Sequence, residues 1–190
     1  MLKLVRNLCL AGMFVVGAAS ANVAQAEEVY MIRGFLNVFS DGMNQMTRQL
    51  KARGIRVRAI SNGDWANIAN DIIRRSKSKQ VSHPIVIAGH SLGGVEAARF
   101  ANRLGQGGVK TALLIGLDPG FPQPPALTKG AQQVVNYKIP SGKNYRRGRG
   151  FDGQITTIDV SRYGTDHVGI DKNKRIQGLV VDRIRKKVGK

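Results

Sequence analysis

The sequence is poor in cysteine, and this shortage excludes several kinds of chemistry. Cys9 is the only cysteine among 190 residues, and it lies in an N-terminal segment that we expect to be removed. The remaining chain would then hold no disulfide, no thiol nucleophile and no cysteine-ligated metal. The residues before Cys9 also lack the small side chain that a lipoprotein signal places in front of its cysteine, so we expect no lipid attachment.

Histidine is also scarce, and its spacing argues against a metal site. The three histidines, His83, His90 and His167, form neither an H-x-x-x-H nor an H-E-x-x-H pattern, so an ordinary zinc site is not expected. Glycines at 105, 107 and 108 follow a predicted helix instead of preceding one, which excludes a phosphate cradle of the dinucleotide-binding type. The sequence therefore predicts neither a metal nor a cofactor.

Acidic residues are few relative to basic ones. Twelve Asp and Glu stand against 30 Lys and Arg, a formal charge of +18. Such a balance favours contact with an anionic membrane or polymer, or it forms a solvated surface that keeps the protein soluble. No known nucleic-acid-binding fold is indicated, so we expect no specific nucleic-acid partner. The basic residues concentrate in two groups: Lys143, Arg146, Arg147 and Arg149, then Arg183, Arg185, Lys186, Lys187 and Lys190.

The first 26 residues have the composition of a secretory signal peptide. Lys3 and Arg6 precede an apolar stretch over 8–19, and Ala24-Gln25-Ala26 forms an A-x-A cleavage site. The apolar stretch is short for a permanent membrane helix, and no stop-transfer charges follow it. We therefore predict an exported protein, periplasmic or secreted, whose residues 27–190 form one domain.

After residue 27, short apolar runs alternate with longer amphipathic stretches, a pattern typical of repeated βα units. The predicted strands are 29–32, 56–60, 84–88, 111–117, 133–139 and 154–160, and the predicted helices are 41–53, 65–76, 92–104 and 172–187. This order predicts an α/β protein with a mostly parallel sheet flanked by helices on both faces. Two long irregular stretches, 119–130 and 141–153, are of a length that is usually functional in a compact domain.

The segment Gly89-His90-Ser91-Leu92-Gly93 matches G-x-S-x-G. The string is short and glycine is common in this chain, so its setting is what gives it meaning. It joins a predicted apolar strand to a predicted helix, which is the setting of a nucleophile elbow. Glycines two residues to each side of Ser91 would let the strand and helix backbones pass closely. The alternative is a glycine-rich turn with an exposed serine.

On these residues the chain resembles the α/β-hydrolase superfamily, on its lipase and esterase side, over essentially all of residues 28–188. The resemblance implies a minimal α/β-hydrolase fold with Ser91 as nucleophile, followed along the chain by an acid and then a histidine. His83 and His90 precede Ser91, and His90 lies inside the elbow with its side chain expected to point away from the nucleophile. His167 is the remaining candidate for the general base; otherwise it is a surface histidine.

The acid should lie at the carboxyl end of a strand, where it can hold the imidazole. Asp118 follows the predicted strand next to the elbow helix, in Gly116-Leu117-Asp118-Pro119. That string resembles the acid segment of pancreatic-type lipases. Asp159 within a predicted strand, and Asp152 and Asp166 on loops, are weaker rivals.

Hydrolysis at a serine needs two N–H groups that bind the developing oxyanion. The residue after the nucleophile, Leu92, supplies one of them in this superfamily. Arg33-Gly34-Phe35 resembles the His-Gly-Phe of lipases, with Arg33 replacing the usual histidine, and implies the Phe35 N–H as the second donor.

Together these features predict an exported serine hydrolase that cleaves a carboxylic ester or thioester through Ser91, His167 and Asp118. We expect a monomer that acts on a small-molecule or lipid ester. The alternative is a non-catalytic envelope-binding protein that keeps a hydrolase fold and uses its basic surface.

Overall fold

The computed structural model of the protein describes residues 27–35 and 41–190. The predicted signal peptide, 1–26, lies outside the described residues. In the part that is described, no helix is both long and apolar enough to cross a membrane. The strands are β1 (Glu28–Ile32), β2 (Val57–Ile60), β3 (Ile85–His90), β4 (Leu113–Leu117), β5 (Gln133–Lys138) and β6 (Gln154–Asp159), and the helices are α1 (Asp41–Lys51), α2 (Trp65–Lys77), α3 (Leu92–Gln106) and α4 (Lys174–Val188).

The six strands form one sheet in the order β2-β1-β3-β4-β5-β6, and every neighbouring pair is parallel. From β1 the chain first moves outward to β2 and then crosses back to β3 on the other side of β1. The strand order therefore reverses between β1 and β3. In open parallel sheets, ligands bind beside the carboxyl ends of the strands at such a reversal. The segments that carry Phe35 and Ser91 begin there, at the ends of β1 and β3.

Helices cover both faces of the sheet, as predicted. Alternate residues of β1 point to opposite faces, because successive side chains of a strand do so. Met31 packs with the buried residues of α1 and α4, and Ile32 packs with those of α2 and α3. The apolar stripe that predicted the last helix, Ile176, Val180 and Ile184, is fully buried. The α/β prediction and its helix-covered parallel sheet are thus confirmed.

Two predicted strand ends differ from the structure by two residues, and the others by at most one. The third strand continues two residues beyond its predicted end, to His90, because Gly89 and His90 remain paired with Gly116 and Leu117 of β4. The fourth strand begins at Leu113, not at 111, since Thr111 makes only an isolated bridge to Ala131. The first change brings the strand ladder directly up to Ser91.

The connections from β4 to β5 and from β5 to β6 contain no helix. Their side chains fill the α3 side of the core in its place, because Leu127, Tyr145 and Phe151 are buried there. The Tyr145 hydroxyl donates a 2.7 Å hydrogen bond to the Gly94 carbonyl at the start of α3. The two long loops are therefore packed against the elements that carry Ser91.

A buried ion pair joins β1 to α2, and the sequence pattern did not predict it. Glu28 is 6% exposed and accepts hydrogen bonds of 2.7 and 3.0 Å from the Arg75 guanidinium and of 2.6 Å from the Tyr30 hydroxyl. Burial raises the pKa of Glu28, but the hydrogen bonds from Arg75 and Tyr30 outweigh it and the net pKa lies below the ordinary value. The carboxylate therefore stays charged in the folded protein.

Replacing Arg75 with Met should lower the free energy of unfolding by about 2 kcal/mol at neutral pH, because it leaves a buried carboxylate without its cation. Arg74→Met is the matched control: Arg74 is exposed, Asp71 keeps its bond to Arg75, and the change should stay within about 0.5 kcal/mol. Urea denaturation measures both. The stabilisation by Glu28 is lost as pH falls through its lowered folded pKa, so the Arg75 effect should shrink in acid. Equal losses for the two variants would contradict this assignment.

Candidate active site

Ser91 occupies the sharp turn between β3 and α3. Its backbone φ is +55° with ψ at −123°, a conformation that residues other than glycine rarely adopt. The surrounding backbone holds the turn in place: the Ser91 N–H donates to the Leu117 carbonyl at 3.1 Å, and the Ser91 carbonyl accepts from the Gly120 N–H at 3.1 Å. The serine hydroxyl is thereby presented at the carboxyl edge of the sheet.

Two glycines make this turn sterically possible, as the sequence predicted. A Cβ at Gly89 would lie 2.1 Å from the Gly93 carbonyl oxygen, and a Cβ at Gly93 would lie 2.4 Å from the Ile32 carbonyl oxygen. Both distances are far below van der Waals contact. The close approach of Gly93 to Ile32 also brings the loop after β1 against the first turn of α3.

His167 and Asp118 complete a hydrogen-bonded chain with Ser91. His167 lies in the turns between β6 and α4, where its Nε2 is 2.9 Å from the Ser91 Oγ. Its Nδ1 is 2.6 Å from the Asp118 Oδ2. Asp118 is 2% exposed and directly follows β4, and its Oδ1 accepts from the Ile139 N–H at 3.3 Å. With Nδ1 donating to Asp118, Nε2 is free to accept the serine proton.

The rival carboxylates are engaged elsewhere. Asp152 pairs with Lys110 at 3.3 Å, Asp159 accepts from the Ser161 N–H at 2.8 Å, and Asp166 accepts from the Gly169 N–H at 2.7 Å. The structure therefore brings Asp118, and not these three, into hydrogen-bond distance of His167.

The electrostatics of His167 suit a base. The hydrogen bond to Asp118 and the charge of that carboxylate raise the pKa of His167, although partial burial opposes the rise. A stronger base takes a proton from a hydroxyl more readily, and the nearby carboxylate stabilises the imidazolium that results.

The loop after β1 carries the other oxyanion candidate, Phe35, whose side chain is 59% exposed. Arg33, which replaces the usual histidine, donates from Nη2 to the Ser61 hydroxyl at 3.0 Å. Asn62 donates to the Gly34 carbonyl at 3.1 Å. The loop is thus tied to the segment that follows β2. The roles of Phe35 and Leu92 as oxyanion donors stay predictions.

A second histidine, His90, contacts the backbone of His167, and the sequence analysis did not predict this contact. His90 is buried, its ring centroid lies 5.4 Å from that of His167, and its Nε2 donates to the His167 carbonyl at 2.8 Å. The fully buried Asp171 places Oδ2 3.9 Å from the His90 Nδ1. Burial lowers the pKa of His90. His90 directly precedes Ser91 in the sequence. No sequence pattern relates it to His167 and Asp171, which lie 77 and 81 positions later.

No metal cage accompanies these groups. Within residues 27–35 and 41–190, no cluster of three or more His, Cys, Asp or Glu side chains is arranged to hold a metal ion.

Comparison with solved structures shows the fold. The esterase Est1E from Butyrivibrio proteoclasticus superposes with a TM-score of 0.55 at 14% identity, covering 89% of this chain and 91% of that one. The NocB thioesterase domain, solved as a covalent complex with a fluorophosphonate nocardicin G analog, superposes with a TM-score of 0.50 at 13% identity, covering 88% and 96%. Both likenesses bear on the fold alone. No curated protein matches in sequence.

The family is shown by the sequence itself. Residues 6–141, more than half of the chain, match the family described as lipase (class 3). The matched span contains Ser91 and Asp118 and ends before His167. The resemblance to lipases and esterases of the α/β-hydrolase superfamily is confirmed, and with it a hydrolase of the ester type. By its sequence, this chain belongs to the class 3 lipase family.

Proposed function

We propose that this protein is an exported serine hydrolase that cleaves a carboxylic ester or thioester through Ser91, His167 and Asp118. The observation that carries the proposal is the continuous hydrogen-bonded chain from the Ser91 Oγ through His167 to the buried Asp118. These three hydrogen-bonded side chains lie at the carboxyl edge of the sheet. This edge is next to the reversal of strand order, where parallel sheets bind ligands.

The first half-reaction forms an acyl-enzyme. His167 Nε2 takes the hydroxyl proton as the Ser91 Oγ bonds to the substrate carbonyl carbon. Asp118 holds the Nδ1–H tautomer and stabilises the imidazolium. The tetrahedral intermediate then collapses, the bond to the leaving oxygen or sulfur breaks, and His167 returns the proton to that leaving group.

The second half-reaction releases the acid. A water molecule gives a proton to His167 and its oxygen bonds to the acyl carbon, after which the bond to the Ser91 Oγ breaks and the serine regains a proton. In both halves we assign the Leu92 and Phe35 N–H groups to the oxyanion. Each such donor contributes a few kcal/mol to transition-state stabilisation. The contact of Gly93 with the end of β1 supports this assignment, because it brings the two donor segments together.

The alternative, a non-catalytic envelope-binding protein, has less support. A binding protein has no use for a serine in a strained turn with a base and a buried acid in hydrogen-bond distance. Strain of this kind costs about 1 to 3 kcal/mol and usually accompanies a functional site.

We propose a separate use for the basic surface: contact with an anionic membrane or polymer. Arg146 and Arg149 are exposed on the loop between β5 and β6. Arg183, Lys186 and Lys187 line a groove of about 500 Å³ beside β5. None of the residues that line this groove belongs to the candidate active site. Other basic residues of the same two groups are used internally, since Arg147 bonds to the Gly153 carbonyl and Lys190 to Glu27.

A fluorophosphonate probe should label Ser91, because such probes react with serines activated by a neighbouring base. Intact-mass analysis of the exported protein should show a chain that begins at residue 27 and carries one adduct, while Ser91→Ala shows none. The exposed serine Ser78, at the end of α2, is the matched control, and Ser78→Ala should be labelled like the wild type. Wild-type protein without an adduct, or an equal adduct on Ser91→Ala, would refute the serine-hydrolase proposal.

Asp118→Asn should lower kcat by about 10⁴-fold, the scale of this change in a known triad. Asp152→Asn and Asp159→Asn, at exposed carboxylates, should stay near wild type. The acid limb of the kcat/KM profile reports the pKa of His167, which Asp118 raises. Without that negative charge the imidazolium is less stable, so the residual activity of Asp118→Asn should persist to lower pH. Normal turnover of Asp118→Asn would assign the acid elsewhere.

Binding to anionic vesicles should weaken as salt rises, since exposed charges are screened beyond about 8 Å at physiological ionic strength. Sedimentation with anionic and zwitterionic vesicles measures this across a salt series, and Arg146→Gln with Arg149→Gln should reduce the anionic binding. Hydrolysis of a small neutral ester by the wild type, followed in the same series, should barely change. Equal binding to both vesicle types would make the basic surface a matter of solubility.

A further inference from the structure

A cavity of about 270 Å³ opens beside the catalytic groups. One wall is the segment after β4, with Gly120 and Phe121, and the other is the first turn of the connection after β5, with Gly142 and Lys143. Asp118 and His167 line the cavity between these walls. It adjoins the nucleophile as well, because a Cβ on Gly120 would lie 3.0 Å from the Ser91 Oγ. The cavity is therefore within reach of a substrate whose carbonyl contacts Ser91.

Lys143 is the basic residue that lines this cavity. Its ammonium lies 4.5 Å from the centroid of the Phe121 ring, and Phe121 is 81% exposed. None of the ion pairs among the described residues includes Lys143, whereas Lys110, Arg75 and Lys190 each have a carboxylate partner. A lysine held over an aromatic ring, without a carboxylate of its own, is available to an anion that enters the cavity.

The packing of the neighbouring backbone fixes the position of Lys143. At Gly142 a Cβ would lie 1.7 Å from the Asp118 Oδ1, so the chain here is pressed against the proposed catalytic acid. The fully buried Asn136 of β5 donates from Nδ2 to the Lys143 carbonyl at 2.9 Å. Two residues later, Tyr145 is anchored to α3 through the Gly94 carbonyl. The position of Lys143 is thus set by the same elements that set Asp118 and Ser91.

We propose that this cavity receives an anionic group of the substrate, and that Lys143 is the specificity residue that pairs with it. The proposal rests on the proposed ester or thioester hydrolysis and narrows its substrate class to esters that carry a carboxylate or phosphate near the scissile carbonyl. Phe121 supplies apolar contact to the chain that links the anion to the ester, and Lys143 supplies the charge.

Two pairs of chromogenic esters test the proposal, one for each side of the scissile bond. p-Nitrophenyl hemiglutarate against p-nitrophenyl pentanoate varies charge on the acyl side, and 4-nitro-3-butanoyloxybenzoate against 2-nitrophenyl butanoate varies it on the leaving group. Lys143→Met should lower the anionic-to-neutral ratio of kcat/KM by about five-fold in one pair, the upper range for an ion pair at a surface. Lys143→Arg should retain the ratio. Lys77→Met, at the exposed end of α2 and outside the cavity lining, is the matched control and should also retain it.

The outcomes separate the two proposals. If the wild type hydrolyses these esters but Lys143→Met leaves both ratios unchanged, the anion site is refuted and the serine-hydrolase proposal stands. If the ratio falls equally in Lys77→Met, the effect belongs to the overall charge and the assignment to Lys143 is refuted. If no ester is hydrolysed and no probe reacts at Ser91, the proposed function fails, and the anion site fails with it.

Discussion

The turn at Ser91 holds a backbone conformation that costs free energy, and the arrangement of the whole sheet keeps it in place. A positive φ at a serine is tolerated only where surrounding structure over-determines it. Here β4 accepts the Ser91 N–H, and the segment after β4 donates to its carbonyl. Glycines 89 and 93 let β3, α3 and the end of β1 approach to distances that no Cβ would permit. The proposed nucleophile, base, acid and oxyanion donors all take their positions from this packing.

Two layers of polar contacts surround His167. Its ring lies between Asp118 and the Ser91 hydroxyl, and its backbone carbonyl accepts from the buried His90, which has Asp171 close behind it. His90, which directly precedes Ser91, therefore helps to hold the loop that brings His167 to Ser91. This arrangement ties the end of β3 to the turns before α4, which are far apart along the chain.

The absence of helices between β4 and β5 and between β5 and β6 also has a consequence for the site. Loops replace those helices, bury Leu127, Tyr145 and Phe151 against α3, and form the cavity next to His167. Since one of these loops passes directly over Asp118, this carboxylate and the cavity wall belong to one packed unit. A change in the loop would therefore also act on Asp118.

The sequence by itself determined the parallel α/β order and the Ser91 turn, because each depends on local pattern. Chain order and strand ends also favoured His167 and Asp118 as candidates over the other histidines and carboxylates. Apolar periodicity reports burial within one element, and glycine spacing reports a close approach. Only the tertiary structure placed Asp118, and not its rivals, within hydrogen-bond distance of His167, 49 residues further along the chain. The same holds for His90 against the His167 carbonyl, Glu28 against Arg75, and Lys143 over Phe121. Contacts between residues distant in sequence leave no periodic signal, because their partners are chosen by the packing of whole elements.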